Sequence, residues 1–271
     1  MLGRTLQQVL IGNELIIADL PEWDITATDQ FNRQLHDAHP DVVIHCAAMT
    51  AVDKCETDVE MAYKLNAFGS LNVASACQKN NVRLIAISTD YVFDGLLNRP
   101  YNEFDMAGGA RTIYGASKFA GEEMVRRHCP NHVICRISWL YGTGGPSFVH
   151  TMLKLADGSR PVLKVVDDQH GNPTSCMAVA RHIAILLKNP NLIGTYHMTC
   201  EGEATWAEFA TEIFRLARKE QCIEPCTTEE FPRPAPRPAN SRLDNMMLRL
   251  AGLPQMPDWH DALAEFMKSE F

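Results

Sequence analysis

The chain has no C-x-x-C pair, although it carries nine cysteines. Disulfide frameworks and most zinc sites rest on regularly paired cysteines, so neither organises this fold. The odd, scattered set, with Cys46, Cys77, Cys135 and Cys200 inside apolar runs, fits reduced and mostly buried thiols. Cys222 and Cys226 are the one close pair, and no histidine accompanies them at zinc-finger spacing; no metal site is expected. No apolar run reaches the length of a membrane span. The segment Met1-Leu2-Gly3-Arg4-Thr5-Leu6-Gln7-Gln8 lacks the apolar core of a signal peptide. These absences predict a cytoplasmic protein with no membrane partner. Positive charge is also short, with 25 Lys and Arg against 33 Asp and Glu and a net charge of −8, which argues against nucleic acid. Internal repeats are missing as well. What remains is 271 residues, 46% apolar and 21% charged, the profile of a globular protein with one large domain or two modest ones.

Apolar β-branched runs alternate with amphipathic ones through the first half. Strands are expected at Leu15–Asp19, Val42–Ala47, Val82–Thr89 and His132–Tyr141, and helices over 29–38, 59–80 and 115–128. Runs apolar along their whole length imply strands covered on both faces, as in a parallel sheet. The alternation predicts a doubly wound, Rossmann-like α/β fold, which binds ligands beyond the carboxyl ends of its strands. Asp19, Ala47–Thr50, Thr89–Tyr91 and Trp139 all fall at such ends. The second half reads as a smaller α/β region. It has strands near Pro161–Val166 and Gly194–Cys200, and helices near Thr174–Lys188 and Thr205–Lys219. Phe231 to Pro238 is proline-rich and reads as a loop. The division expected is residues 1–145 for a dinucleotide and 146–271 for substrate, partly interleaved.

Tyr114-Gly115-Ala116-Ser117-Lys118 carries the chemistry. A tyrosine and a lysine four apart on a helix share one face. An ammonium there can stabilise a phenolate and lower the tyrosine pKa, which suits a general acid/base. Ser88 and Thr89 end the preceding strand in hydroxyls able to hold a carbonyl. The pair alone also describes an exposed helix with a surface lysine, so its context decides. Asp19 stands where an acid hydrogen-bonds the adenosine ribose and disfavours a 2′-phosphate, which tilts the cofactor toward NADH over NADPH without excluding either.

The wider pattern is specific. It comprises the run from His45 to Asp53, Ser88-Thr89-Asp90-Tyr91-Val92-Phe93, the Tyr114/Lys118 pair, and Ser138-Trp139-Leu140-Tyr141-Gly142. It continues through Asp168–Thr174, Thr205-Trp206 and Arg237-Pro238-Ala239-Asn240-Ser241-Arg242-Leu243. In this order and spacing the chain resembles the extended short-chain dehydrogenases/reductases, and within them the dTDP-4-dehydrorhamnose reductases. The resemblance implies reduction of a dTDP-sugar by NADH or NADPH. Tyr114 would donate a proton to the C4 keto oxygen, Lys118 would hold the nicotinamide ribose and depress the Tyr114 pKa, and Thr89 would bond the same oxygen. Asp90, Tyr91 and Trp139 would contact the sugar. Ala48, Met49 and Thr50 would line the cofactor, and Asp24 and Ile25 would flank its adenine. Arg237 and Arg242 would pair with the nucleotide diphosphate, as guanidinium forks match phosphate geometry. The resemblance is also compatible with a homodimer.

Structural readings stand beside these. Thr89 could cap the next turn, Trp139 could be core, and Asp24 could be the N-cap of the helix after Ile25. A second family, the non-catalytic regulatory subunit of methionine adenosyltransferase, shares the S-T-D-Y-V-F and Y-x-x-x-K patterns, and reductases or epimerases of other nucleotide sugars share the Tyr/Lys chemistry. The chain departs from the reductase pattern in one respect. That family opens with a buried strand and a G-x-x-G-x-x-G turn that admits the cofactor pyrophosphate. Gly3 would match the last of those glycines, so the first strand and Gly-rich turn, about a dozen residues, are expected to be missing, as from a start assigned too far downstream. Cofactor binding by the chain as written is then expected to be weak. Thr5 stands where relatives with a divalent ion carry an acid, which again predicts no metal.

Overall fold

Four strands form one parallel sheet in the computed structural model, which describes residues 1–270. They are β1 (Val42–His45), β2 (Arg83–Thr89), β3 (His132–Ile137) and β4 (Gly194–His197), adjacent in that order. Register is fixed by pairs such as Ile44 with Ile85, Ile85 with Val133, and Ile134 with Thr195. Successive side chains on a strand point to opposite faces, and here both faces are dry. Leu84 and Ala86 join Phe31, Leu35, Val73, Cys77 and Val125 in one core. Ile85 joins Leu2, Leu6, Val133, Cys135 and Ile183 in the other. Burial on two sides is why β2 and β3 are apolar throughout. Helices Thr28–Ala38, Gly69–Lys79 and Ile113–His128 supply the first cover, and Leu2–Val9 with Cys176–Leu187 the second.

The doubly wound α/β expectation holds, but Leu15–Asp19 is not a strand. Leu15, Ile16 and Ile17 are 39, 48 and 56% exposed. A strand needs a hydrogen-bonded neighbour, and this segment pairs with none; β1 ends the sheet and pairs only with β2. The run from His132 to Tyr141 also breaks. Ser138 and Trp139 leave the ladder after Ile137, and Leu140–Tyr141 pairs instead with Thr174–Ser175. The helical stretch after Val59 contains a π-turn at Lys64–Phe68.

Helix Ile113–His128 starts where Thr112 Oγ1 accepts a hydrogen bond from Gly115 N–H at 3.0 Å. Its last turn carries Arg126, Arg127 and His128, matched to the helix dipole. A side chain at position 115 would place its Cβ 2.1 Å from the Tyr91 carbonyl oxygen, so only glycine lets the helix approach the end of β2 this closely.

Beyond residue 145, β4 and helix Cys176–Leu187 complete the sheet and its cover. The other strands there form small pieces, Val162–Val166 parallel to Cys222–Cys226 and His170–Gly171 antiparallel to Ala204–Thr205, beside helices Trp206–Ala217 and Trp259–Glu270. The proline-rich stretch is irregular and reaches back to the first half, where Ala235 N–H donates to Asp53 Oδ1 at 3.2 Å. Among the described residues no helix is long and apolar enough to cross a membrane.

Candidate active site

The sheet delivers Thr89 to the carboxyl end of β2, and the glycine contact brings Tyr114 against it. The Tyr114 phenol faces the Thr89 hydroxyl. Its ring meets Tyr91 edge-on, with centroids 5.4 Å apart. Thr89 Oγ1 donates to Asp90 Oδ1 at 2.9 Å and accepts from Tyr91 N–H at 3.3 Å. It therefore does cap the following turn, while still presenting its hydroxyl to Tyr114. Lys118 lies one turn beyond, 7% exposed, with Nζ donating to the Ile87 carbonyl at 2.8 Å. Thr89, Tyr114 and Lys118 are thus brought together.

Burial sets the electrostatics. It pushes the Tyr114 phenol up, with the Thr89 bond opposing. It brings Lys118 down to about 8, with the Glu122 carboxylate opposing. It raises Asp90 to about 6 against bonds from Ser241 and Thr89. The expected lowering of the Tyr114 pKa by Lys118 is not found: the ammonium is drawn to Ile87, and desolvation of the phenol dominates. Asp90 Oδ2 and Ser138 Oγ are buried with no hydrogen-bond partner.

A network not foreseen from sequence fixes the floor. Asn66, 1% exposed in the π-turn, accepts from Met49 N–H at 2.8 Å and donates to Met49 O at 3.2 Å and Ser117 Oγ at 3.0 Å. Ser117 Oγ in turn donates to the Tyr114 carbonyl at 2.9 Å. Met49 is thereby tied to the catalytic helix and packs with Tyr114, while Ala48 is half-buried and Thr50 exposed on either side of it. No local pattern signals a π-turn, so only Asn66 itself, a polar residue in an amphipathic run, could have drawn notice.

The remaining expected residues divide. Ile25 packs its side chain on Gly69, and its carbonyl accepts from Asn72 Nδ2 at 2.9 Å. Asp24 Oδ1 accepts from both the N–H and the hydroxyl of Thr26 at 2.8 Å; the helix N-cap is Ala27, so Asp24 closes its own turn instead. Asp19 lies in exposed chain, where its carboxylate accepts from the adjacent Leu20 N–H and its carbonyl from Trp23 N–H, each at 2.9 Å; it ends no strand. Trp139 is half-buried at the same sheet end as Thr89. Arg237 forks onto Asp53 at 2.8 and 2.9 Å and lines a groove with Tyr91, Arg111, Thr112 and Pro236. Arg242 does not line it: it pairs with Glu203 and Asn240, each at 2.8 Å. Both arginines therefore have carboxylate partners already. No group of three His, Cys, Asp or Glu among the described residues could hold a metal ion.

Residues 1–271 match the family described as RmlD substrate binding domain. A dTDP-4-dehydrorhamnose reductase of Streptomyces griseus is 39% identical, the match covering 98% of this chain and 89% of that one. The crystal structure of a dTDP-4-dehydrorhamnose reductase from Clostridium acetobutylicum superposes with a TM-score of 0.96 at 43% identity, over 99% of this chain and 95% of that one. The enzyme of that name from Bacillus anthracis, solved in complex with NADP, does so at 0.96 and 40%, with the same coverage. The chain belongs to the RmlD substrate-binding domain family.

Proposed function

We propose that this family member reduces the C4 keto group of dTDP-4-dehydro-L-rhamnose to dTDP-L-rhamnose, using NADH or NADPH. The observation that carries the reading is the convergence of the Tyr114 phenol, the Thr89 hydroxyl and the Lys118 ammonium at the carboxyl end of β2. The groups present fit the nicotinamide half of such a cofactor. Met49 is held rigidly beside Tyr114, and Lys118 is a buried cation with donor capacity beyond its bond to Ile87. When bound, the nicotinamide supplies a hydride to the substrate carbonyl carbon.

The protein's own part is proton transfer and orientation. Tyr114 carries its proton in the buried site, so it is the group that has one to give. Its proton passes to the keto oxygen as that oxygen gains charge, and the Thr89 hydroxyl turns its single proton from Asp90 Oδ1 to donate a second hydrogen bond to the same atom. Preorganised donors act where charge develops. Asp90 orients the Thr89 hydroxyl, and Tyr91 and Trp139 wall the sugar. Ala48, Met49 and Thr50 line the cofactor, and Asp24 and Ile25 stand on the adenine side, against helix Gly69–Lys79. Arg237 reaches the nucleotide diphosphate through the groove it shares with Tyr91. Residues 1–145 then serve mainly the cofactor and 146–271 mainly the sugar nucleotide, in a cytoplasmic enzyme able to act as a homodimer.

The test is incubation with NADPH and dTDP-4-dehydro-L-rhamnose, followed by chromatography of the sugar nucleotide. dTDP-L-rhamnose formed in equal amount to NADPH consumed supports the reading. Unchanged substrate, from folded protein, refutes it.

A further inference from the structure

Trp139 adopts a left-handed backbone conformation, with φ +45°, a region that bulky residues rarely occupy. Contacts on its ring hold it there. The Trp206 ring lies parallel to it, 7° apart in plane with centroids 3.5 Å apart. Trp206 is itself immobilised. Its Nε1–H donates to Gln169 Oε1 at 3.0 Å, Gln169 Nε2 donates to Thr228 Oγ1 at 2.9 Å, and Phe148 packs against its ring at 4.6 Å. Gly171 gives the indole its place. A Cβ there would stand 2.3 Å from Trp139 Cε2 and 2.6 Å from Nε1. The Gly171 backbone has no positive φ, so the ring, not the chain path, demands glycine. These contacts come from one unit, because Gly171 pairs with Ala204 in the short ladder that leads into helix Trp206–Ala217.

The position matters because Ile137 pairs with Thr89, and Trp139 follows two residues later at the same sheet end. Trp139 is half-buried, and its indole N–H is accessible with no hydrogen-bond partner among the described residues. We propose that Gly171 and Trp206 are positioning residues that fix the Trp139 indole as a wall, and its N–H as a donor, for the hexose of the nucleotide sugar. The inference rests on the reductase reading above.

Gly171→Ala thrusts a methyl at the indole, Trp206→Leu removes the stack, and Trp206→Phe keeps an aromatic platform and secures a folded comparison. KM for dTDP-4-dehydro-L-rhamnose is expected to rise about tenfold or more in the first two, with Trp206→Phe in between and KM for NADPH unchanged. Calorimetric titration with dTDP-L-rhamnose is expected to give the same order without turnover. Unchanged sugar-nucleotide affinity in folded Gly171→Ala and Trp206→Leu overturns the positioning role and leaves the reductase reading standing. Equal losses for NADPH and sugar overturn it too, as a merely structural effect. Wild-type protein that binds the dTDP-sugar without turnover overturns the reductase reading, and the variants' affinities still decide the inference. Wild-type protein that binds neither overturns both.

Discussion

Lys118 Nζ donates to the Ile87 carbonyl at 2.8 Å, and not to the Tyr114 phenol one turn before it on the same helix. The ammonium thus anchors the catalytic helix to β2, two residues before Thr89. Both members of the Tyr/Lys pair are buried, so each is shifted toward its neutral form.

That anchoring predicts an alkaline limb. Lys118 sits at about 8, against an ordinary 10.5, so kcat/KM falls as pH rises through about 8 and the ammonium is lost. Lys118→Met lowers kcat/KM roughly a hundredfold and abolishes that limb. A pH–rate profile of both proteins checks this.

Asp90 has the opposite stability signature. Its folded pKa, about 6, lies above the ordinary 3.8. The folded state therefore holds this proton more tightly, and stability falls as pH rises from 3.8 to about 6. Asp90→Asn removes that loss: its Tm exceeds the wild type's at pH above about 6, and the advantage vanishes below the ordinary carboxylate pKa. Scanning calorimetry across this range measures it.

Glu122 holds up the other side of the helix. Arg136, 2% exposed, contacts it at 2.7 and 2.9 Å, Arg126 at 2.7 Å, and Ser88 donates at 2.5 Å. Burial opposes its ionisation, but Arg136 above all outweighs burial and holds the carboxyl down at about 2, against an ordinary 4.5. Its stabilisation is present above 4.5 and lost as pH falls toward 2. Glu122→Gln strands Arg136 in the core and is expected to cost about 3–5 kcal/mol at neutral pH. Urea unfolding at neutral and acid pH should show the gap between the two proteins narrowing in acid.

Where sequence and structure part, the reason is usually contact with something distant. Val42, Arg83 and His132 open strands where β-branched runs begin, and the Tyr114/Lys118 face was legible because helical spacing is local. Leu15–Asp19 has strand composition, yet pairing depends on a neighbour that composition cannot report. The Asn66 bonds to Met49 and Ser117, the Glu122–Arg136 pair and the Gly171–Trp139 contact each join separate elements of the fold, which no spacing rule reveals. The direction of the Tyr114 shift is hidden from local sequence for the same reason, since burial is a property of the whole fold.

The Arg237–Asp53 pair separates a structural from a ligand-binding role. With side chains 22 and 35% exposed, it contributes at most about 1 kcal/mol. If Arg237 reaches the diphosphate, Arg237→Ala raises KM for the dTDP-sugar about tenfold or more with little change in Tm, while Asp53→Asn leaves KM near the wild-type value. Equal effects of the two substitutions on KM would assign Arg237 to holding the proline-rich stretch.

The most direct test of the account is NADPH oxidation with dTDP-4-dehydro-L-rhamnose, comparing wild type with Tyr114→Phe. The account predicts turnover in the wild type and a loss of roughly a hundredfold or more in kcat for Tyr114→Phe, with NADPH affinity retained. Comparable turnover in the two proteins would contradict it, because the phenol facing Thr89 would then not be the proton donor.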